Sequence, residues 1–423
     1  MILIKNGRLI DPASKRDEVI DIAVENGEII KIGKIKEEKG FEQIIDATNC
    51  VVSPGLIDIH VHFRDPGFTH KEDILTGAKS AARGGITTVV CMANTKPVVD
   101  NVETLNYVNE KAKDAVINVL QLGSVTKSFR GKELVDFEEL LKNGAVGFSD
   151  DGIAINDTGI LYDAMKKAKE LDFVISLHEE DENFIEIAGV NDSEIAKQLG
   201  LKGGAKTVSE DIMVARDCMI ALETGAKVNI QHISSGVAVE TVRFAKSLGA
   251  KVYAEAAPHH FTLTEEDVLK HGSLAKMNPP LRSEKDKQIL IEGLKDDTIE
   301  IIATDHAPHS EDEKSREFAA CPSGIIGLET SLALGITSLV RKNHLSLMHL
   351  LEKMTINPAK LYKLDKGYIK EGAVADLVIF NPDEQWEVRD FDSKSSNSPF
   401  MGEKLYGKVK YTICNGKIVY TDK

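Results

Sequence analysis

The chain has 423 residues, of which 42% are hydrophobic and 28% are charged, as in a globular protein with a sizeable core. Its 52 basic and 67 acidic residues leave a formal net charge of −15, and this acidic balance argues against a nucleic-acid partner. No uncharged apolar run reaches membrane-spanning length, so we expect no membrane association. The N-terminal segment lacks the apolar centre of a signal peptide, which favours a cytoplasmic protein.

The five cysteines favour the same location. Their number is odd, they are scattered along the chain, and no two form a CxxC pair. Reduced thiols in a reducing compartment are the simplest interpretation of this pattern. The residues are Cys50, Cys91, Cys218, Cys321 and Cys414.

The two ends of the chain share one pattern. Alternating apolar runs surround Asn6-Gly7, Asn26-Gly27 and Asn415-Gly416, and Asn-Gly supplies the residues of positive φ that tight hairpins need. Neither end could bury its apolar face alone. We therefore predict that residues 1–52 and 366–423 form short antiparallel strands of one composite β-sandwich domain.

Between the ends, eight short apolar runs alternate with helical stretches such as EDILTGAKSAARGG, EDIMVARDCMIALETG and GVAVETVRFAKSLG. The runs are rich in Val, Ile and Ala, as parallel strands buried on both faces should be. Eight strand–helix repeats are typical of an α/β protein with a (β/α)8 TIM barrel, which we predict for residues 53–365. The runs span 55–63, 86–94, 117–125, 145–151, 172–180, 227–234, 251–258 and 299–308.

Two longer connections interrupt this alternation. The stretch between residues 180 and 227 has room for extra helices before the sixth run. The charged run SEDEKSREF, residues 310–318, follows the last predicted strand, and we predict a mobile loop there over the barrel mouth.

Polar residues lie at the carboxyl ends of most of the eight runs. In TIM barrels the catalytic residues cluster at the carboxyl ends of the strands, so these side chains should meet at one rim. Histidines and carboxylates dominate the set. It comprises His60, His62, Asn94, Asp150, Asp151, His178, His232 and Asp305.

The first run ends in an H-x-H pair. Residues i and i+2 of a strand point to the same face, so His60 and His62 can reach one metal ion from the same side. Imidazole together with carboxylate suits zinc, with manganese, iron or cobalt as alternatives. Taken singly, an H-x-H pair is often only hydrogen-bonded, and a strand-end aspartate is usually a helix N-cap. Such explanations would have to coincide at the same end of several strands, so we favour a metal site.

Nine motifs together carry a family resemblance. The chain resembles the amidohydrolase superfamily and, within it, the long type I dihydroorotases of bacteria. The matching region runs from about residue 54 to residue 332, and both chain ends fit the composite β-domain of that family. The motifs are PGLIDIHVHFRDPG, CMANTKPVVDN, GFSDDG, LHEE, QHIS, APHHF, MNPPLR, ATDHAPH and GIIGLETS.

The resemblance implies a centre that holds one or two zinc ions. His60 and His62 are similar to ligands of the first metal, and His178 and His232 are similar to ligands of the second. Asp305 is similar to a first-metal ligand that also serves as the catalytic acid–base.

The bridge between the two metals departs from many relatives, which use a carboxylated lysine at the end of the fourth strand. This chain has no lysine there, since Lys142 precedes the strand, and type I dihydroorotases use an aspartate instead. Asp150 and Asp151 are both candidates, and the position relative to His178 favours Asp151. The missing lysine argues against a hydantoinase, dihydropyrimidinase or allantoinase.

The resemblance also implies a site for a substrate carboxylate. Arg64, Asn94 and His309 are similar to the residues that hold it, and a guanidinium suits this role because its fork donates two parallel hydrogen bonds. A salt bridge between Arg64 and Asp65 is the alternative for that arginine. The remaining substrate-site residues are His62, Asn278 at the ring amide, and Ser323 and Gly324 where the backbone closes the pocket.

The implied activity is the reversible, metal-dependent cyclisation of N-carbamoyl-L-aspartate to L-dihydroorotate and water, a step of de novo pyrimidine (UMP) biosynthesis. The metals would activate water and polarise the carbonyl group. One alternative is an amidohydrolase for another cyclic ureide, similar to hydantoinase or allantoinase. The other is a partner-dependent or scaffold subunit of an aspartate carbamoyltransferase complex. We expect a homo-oligomer, with aspartate carbamoyltransferase as a candidate partner.

Overall fold

Sixteen strands and fourteen α-helices make up the described part of the chain. The computed structural model describes residues 1–422, and Lys423 lies outside the described residues. The strands are β1 Ile2–Asp11, β2 Arg16–Glu25, β3 Glu28–Gly33, β4 Gln43–Asp46, β5 Val51–Pro54, β6 Leu56–Val61, β7 Ile86–Cys91, β8 Asn118–Gly123, β9 Ala145–Phe148, β10 Val174–Leu177, β11 Lys227–Ile230, β12 Val252–Ala256, β13 Ile301–Ile302, β14 Leu377–Glu387, β15 Lys404–Cys414 and β16 Lys417–Thr421. The α-helices are α1 Ile74–Arg83, α2 Val102–Ala112, α3 Phe137–Lys142, α4 Thr158–Leu171, α5 Glu194–Gln198, α6 Val208–Thr224, α7 Gly236–Ser247, α8 Pro258–Thr262, α9 Asp267–His271, α10 Glu284–Lys295, α11 Glu311–Lys314, α12 Ser331–Gly335, α13 Leu347–Met354 and α14 Ile356–Leu361.

Strands from both chain ends hydrogen-bond into one mixed sheet. Its order is β16-β15-β14-β5-β1-β2-β3, and β4 pairs with β1. β14 lies antiparallel to β5, and Ile22 and Ile379, from opposite ends of the chain, share one buried apolar cluster. This confirms that the two ends form one β-module. The strands are not all antiparallel, because the chain returns after β3 and places β4 and β5 parallel to β1.

Two of the three Asn-Gly pairs form hairpins as predicted. Asn26-Gly27 joins β2 to β3, and Asn415-Gly416 joins β15 to β16. The prediction is wrong for Asn6-Gly7, which lies inside β1 where the pairing with β2 shifts its register. Asn6 has a φ of 61° and its backbone N–H donates to Asp21 Oδ1 at 3.0 Å, so this pair forms a β-bulge instead of a turn.

β6 to β13 form the predicted TIM barrel, with each strand next to its neighbour in sequence. β13 has only two residues and is much shorter than the predicted run 299–308. A side chain replaces the strand ladder there, since the N–H of Thr304 donates to the carboxylate of Asp58 at 3.2 Å. The N–H of His62 then donates to the carbonyl group of His306 at 2.9 Å, which joins the first and last strands at the mouth.

Most of the long outer helices begin at side-chain caps, and they bury apolar faces. α1, α6 and α7 match the three helical stretches quoted from the sequence. Asp73 and Thr76 form a capping box at α1, and the hydroxyl of Ser235 caps α7. The long connection before β11 contains α5 and α6, as expected. No helix within residues 1–422 is long and apolar enough to cross a membrane.

The charged run 310–318 contains α11 and contacts buried lysines, and its mobility stays a prediction. Lys314 is buried, and its ammonium group donates to the carbonyl group of Pro322 at 3.0 Å. The ammonium group of Lys276 donates to the carbonyl group of Cys321 at 2.8 Å. Two buried cations with several carbonyl acceptors therefore contact this loop.

The division of the chain into domains at 1–52, 53–365 and 366–423 stays a prediction. The last residue of the third segment, Lys423, lies outside the described residues. β5 ends at Pro54 and β6 begins at Leu56, so only one residue separates the two sheets along the chain.

Gly77 determines how closely α1 packs on the chain that leaves β6. A methyl group on Gly77 would lie 2.4 Å from the ring of Phe63, which is buried directly before Arg64. We expect Gly77→Ala to lower the free energy of unfolding by about 1–3 kcal/mol, because a packed core leaves the ring little room to move. Denaturant unfolding measures the change. Gly33→Ala is the control, since a Cβ at Gly33 would meet no atom within 4 Å. Equal stability of the two variants would contradict the packing argument.

Candidate active site

A cavity at the barrel mouth brings together nearly all of the predicted site residues. Its volume is about 190 Å³, and it lies where the carboxyl ends of the parallel strands meet. His60 is absent from its lining because that side chain is completely buried. The predicted residues that line the cavity are His62, Arg64, Asn94, Asp151, His178, His232, Asn278, Asp305, His309, Ser323 and Gly324.

The carboxylate of Asp151 stands between two pairs of histidines. Its Oδ1 lies 3.3 Å from His60 Nε2, and its Oδ2 lies 3.4 Å from His62 Nε2. The same Oδ1 lies 3.8 Å from both His178 Nδ1 and His232 Nε2. One carboxylate can therefore contribute to two groups of three ligand residues, one with each histidine pair.

The adjacent Asp150 faces the backbone instead of the histidines. Its Oδ1 accepts hydrogen bonds from the N–H of Val125 at 2.7 Å and from the N–H of Thr126 at 3.1 Å. The hydroxyl group of Thr126 donates to its other oxygen. Asp150 thus links the residues that follow β9 to those that follow β8. The geometry therefore favours Asp151 as the carboxylate shared by the two histidine pairs.

Buried atoms without partners indicate that a cation belongs in this centre. His60 Nε2 and Asp151 Oδ1 are buried and have no hydrogen-bond partner within residues 1–422. His178 Nδ1 and His232 Nε2 lie 2.9 Å apart, so a proton or a cation must separate their lone pairs. Unpartnered buried polar atoms are costly, and imidazole with carboxylate is a donor set that divalent transition metals bind. These residues therefore fit a metal centre.

Two buried carboxylates orient the histidines from outside. His60 Nδ1 is hydrogen-bonded to Glu255 on β12, and His178 Nε2 is hydrogen-bonded to Glu180 at 3.1 Å. Each carboxylate holds a proton on one ring nitrogen, so that the other nitrogen faces Asp151. Burial lowers the pKa of His60, but Glu255 and Asp151 together raise it well above its usual value. Sequence reasoning missed these two roles, although Glu255 is a lone acidic residue in an apolar run.

Asp305 lies beside the first histidine pair. Its Oδ1 lies 3.0 Å from His62 Nε2 and 3.5 Å from His60 Nε2. Burial alone would raise the pKa of Asp305, but the two histidines together hold it below its usual range. The carboxylate is therefore ionised at neutral pH and can accept a proton.

Arg64 and His309 place a positive charge and a neutral ring in the same cavity. Arg64 Nη2 lies 3.4 Å from His309 Nε2, and Arg64 Nε donates to the carbonyl group of Pro308 at 3.3 Å. Burial lowers the pKa of Arg64, yet a guanidinium stays charged in proteins. Burial, together with the nearby Arg64 and Lys71, lowers the pKa of His309 to about 2. The neutral ring of His309 can therefore donate one N–H.

The alternative salt bridge between Arg64 and Asp65 is not formed. Asp65 pairs instead with Lys111 and accepts a hydrogen bond from the hydroxyl group of Tyr107 at 3.0 Å. No carboxylate oxygen within residues 1–422 lies within 4.0 Å of the Arg64 guanidinium nitrogens. The guanidinium group is therefore available to bind an anion in the cavity.

The two predicted asparagines differ in their contacts. Asn94 Oδ1 is hydrogen-bonded to His62 Nδ1 at 2.9 Å, and its Nδ2 donates to Asp151 Oδ2 at 3.2 Å, so Asn94 orients both side chains. Asn278 Oδ1 is buried and has no hydrogen-bond partner within the described residues. This oxygen can accept a hydrogen bond from a molecule in the cavity.

Several site residues hold a backbone conformation that is rare for L-amino acids. Arg64, His232 and Asp305 have φ values of 60°, 30° and 49°. Such conformations cost energy and persist where the surrounding structure over-determines them, as at active sites. Gly324 has a φ of 122°, and a Cβ there would lie 2.6 Å from the methyl group of Ala307, so the rim requires glycine at this position.

Asp150 and Asp151 provide a matched pair of variants. We expect Asp151→Asn to weaken metal affinity by about 100-fold or more, because the shared negative charge is lost. Asp150→Asn should retain its metal, because that carboxylate faces Val125 and Thr126. Elemental analysis of both proteins after dialysis against a weak chelator measures the metal-to-chain ratio. An equal loss of metal from both variants would refute the assignment.

Comparisons with known proteins agree with this arrangement. Residues 49–237 match the family model of dihydro-orotase-like proteins, and residues 330–420 match that of the amidohydrolase family. The dihydroorotase of Clostridioides difficile is 67% identical over 420 residues, which cover 99% of this chain and 100% of the relative. The dihydroorotase of Lactococcus lactis is 57% identical over 423 residues, which cover 100% of both chains.

A solved structure shares the architecture. The L-hydantoinase (dihydropyrimidinase) from Arthrobacter aurescens superimposes with a TM-score of 0.88 at 27% identity, covering 99% of this chain and 96% of that one. The fold is thus shared with amidohydrolases named for other cyclic ureides, whereas the high identity over the full length is to dihydroorotases. The chain therefore belongs to the dihydroorotase family and is a metal-dependent cyclic amidohydrolase.

Proposed function

We propose that the protein interconverts N-carbamoyl-L-aspartate and L-dihydroorotate in de novo pyrimidine biosynthesis. The observation that carries the proposal is the position of Asp151, whose one carboxylate faces both histidine pairs. Arg64 and His309 line the same cavity. A cyclic amide with a carboxylate substituent fits this cavity, because its amide group suits the histidine and aspartate centre and its carboxylate suits Arg64 and His309.

We assign one or two zinc ions to the centre. The support is the imidazole and carboxylate donor set together with its unpartnered buried atoms. When bound, such ions lower the pKa of water and polarise a carbonyl group. The assigned ligands are His60, His62 and Asp305 for the first ion, His178 and His232 for the second, and Asp151 for both.

Asp305 is the residue that we assign to proton transfer. In ring opening, the oxygen of water adds to the ring carbonyl carbon and the ring C–N bond breaks. Asp305 would accept the proton from the water and deliver it to the departing nitrogen. In ring closure the amide nitrogen attacks the side-chain carboxyl group of carbamoyl aspartate, the proton moves in the opposite direction, and water leaves.

The substrate carboxylate gives the site its specificity in this proposal. The fork of Arg64 would bind it with two parallel hydrogen bonds, and the neutral ring of His309 would donate a third. Asn278 would accept a hydrogen bond from the ring amide through its unpartnered Oδ1. Hydantoin and dihydrouracil carry no carboxylate and would leave the half-buried guanidinium of Arg64 unpaired, which is costly. The remaining assigned contacts to the substrate are His62, Asn94, Ser323 and Gly324.

Two further features support a dihydroorotase over other ureide amidohydrolases or an inactive scaffold. The side chain of Lys142 is 77% exposed at the end of α3, so no lysine replaces Asp151 as the shared group. All of the ligand residues expected from the family are also present and close together.

We further infer a cytoplasmic homo-oligomer that can associate with aspartate carbamoyltransferase. The cysteines are free thiols, which fits a reducing compartment. α7 and the residue after it expose Val237, Phe244 and Leu248, and apolar side chains of this kind are often covered in assemblies.

A ring-opening assay on the purified chain tests the proposed function. Loss of ring-amide absorbance should follow L-dihydroorotate hydrolysis, and a chelator should abolish turnover while added zinc restores it. Hydantoin, dihydrouracil and allantoin are the comparison substrates, and we expect turnover of each to be at least about 100-fold lower than that of dihydroorotate. Faster turnover of any of the three would redirect the assignment to that ureide. Absence of all turnover in zinc-loaded protein would favour the partner-dependent subunit.

The role of Asp305 is tested by Asp305→Asn. We expect kcat to fall by about 100- to 10,000-fold, because the amide cannot accept the proton, while KM changes little. Metal content is quantified on the same sample, because Asp305 is also an assigned ligand. Asp312→Asn, an exposed carboxylate on α11, is the control and should retain full activity. Retained turnover in metal-loaded Asp305→Asn protein would exclude the acid–base role.

A further inference from the structure

The connection between β14 and β15 crosses the rim of the barrel. Its residues 392–397, here named the rim strap, alternate between exposed and buried side chains. Ser393, Ser395 and Asn397 are buried, whereas Lys394 and Ser396 between them are exposed. This period of two shows that an extended segment turns one polar face toward the barrel.

Each buried side chain of the rim strap binds a loop of the barrel mouth. The hydroxyl group of Ser393 donates to the carboxylate of Glu72. The hydroxyl group of Ser395 donates to the carbonyl group of Lys71 at 2.8 Å. The segment before α1 is thereby fixed at two successive residues by a part of the chain more than 300 positions away.

Asn397 binds the other side of the mouth with its whole side-chain amide. Its Nδ2 donates to the carbonyl groups of Ala307 at 3.0 Å and Gly324 at 3.1 Å. Its Oδ1 accepts a hydrogen bond from the N–H of His309 at 3.1 Å. The side chain is 3% exposed, so water cannot easily replace these bonds. The backbone carbonyl group of Asn397 also accepts a hydrogen bond from the N–H of Ile326 at 3.0 Å.

The three side-chain bonds join two loops that carry assigned substrate contacts. Residues 307–309 follow β13 and end in His309, whereas Gly324 belongs to the loop that closes the cavity. The two loops also meet directly, because His306 forms an isolated bridge with Ile325 and the N–H of Ala307 donates to the carbonyl group of Ile325 at 2.8 Å. The Asn397 side chain adds a link from the N–H of His309 to the carbonyl group of Gly324 beside this backbone contact.

We propose that Asn397 is a positioning residue for the substrate carboxylate, acting through His309 and Gly324. This inference rests on the proposed dihydroorotase function, because that function assigns the carboxylate to His309. Loss of the Asn397 amide would remove the side-chain link between the two loops. It would leave the buried carbonyl group of Ala307 without its donor, whereas the ammonium group of Lys314 would still donate to the carbonyl group of Gly324 at 3.1 Å. The side chain of Asn397 forms no hydrogen bond to Asp305 or to an assigned metal ligand within the described residues, so we expect binding to suffer and chemistry to be retained.

The test compares Asn397→Ala and the isosteric Asn397→Asp with Ser396→Ala, a control on the exposed face of the same segment. We expect KM for L-dihydroorotate to rise by about 10- to 100-fold in both Asn397 variants, because the bonds to Ala307 and Gly324 are lost. We expect kcat to stay within about threefold of wild type, with unchanged metal content. If Asn397→Ala does not fold, Asn397→Asp carries the same expectation, since it keeps the side-chain volume.

A double-mutant cycle with His309→Ala separates positioning from a general structural role. Because Asn397 also binds Gly324, Asn397→Ala should still lower kcat/KM in the His309→Ala background, but by at least about threefold less than in the wild type. Fully additive losses, or a fall in kcat and metal content with KM unchanged, would overturn the proposal. Turnover by the wild-type protein tests the underlying function separately. A wild-type protein that does not hydrolyse dihydroorotate would contradict the proposed function before any Asn397 variant is compared.

Discussion

The negative charge of Asp151 among four imidazoles is the interaction around which the rest of the mouth is arranged. A buried carboxylate is costly unless it is paired, and here its oxygens face histidines on both sides. The outer carboxylates Glu255 and Glu180 then hold the rings of His60 and His178 so that one nitrogen of each faces inward. This alternation of acid and imidazole gives a compact polar centre in which a cation completes the charge balance.

The barrel closes between β6 and β13 directly beside this polar centre. The bond between the N–H of His62 and the carbonyl group of His306 joins the first and last strands directly beside two assigned ligands. Asp58 lies two residues before His60 on β6, and its carboxylate accepts hydrogen bonds from the N–H groups of both His60 and Thr304. Barrel closure and ligand placement are therefore one set of contacts, and neither is complete without the other.

The sequence alone predicted the features that depend on local pattern. The alternation of β6 placed His60 and His62 on one side, and the strand-end positions of His178, His232 and Asp305 followed from the barrel. Contacts between distant segments were not predictable in this way. Glu255 meets His60 across 195 positions, and the register of β1 against β2 turned Asn6-Gly7 into a bulge. Such roles depend on the order and the register of the strands in the sheet, and a local sequence motif does not determine either of them.

The rim strap also bears on the order in which the protein is made. Its residues leave the ribosome after the entire barrel, and β14, the first C-terminal strand to pair with β5, comes only shortly before them. The first five strands must therefore wait for the synthesis of β14 to complete their sheet. Because the same late segment holds the loops of the mouth, the nascent chain remains without a finished substrate rim until its two ends have met.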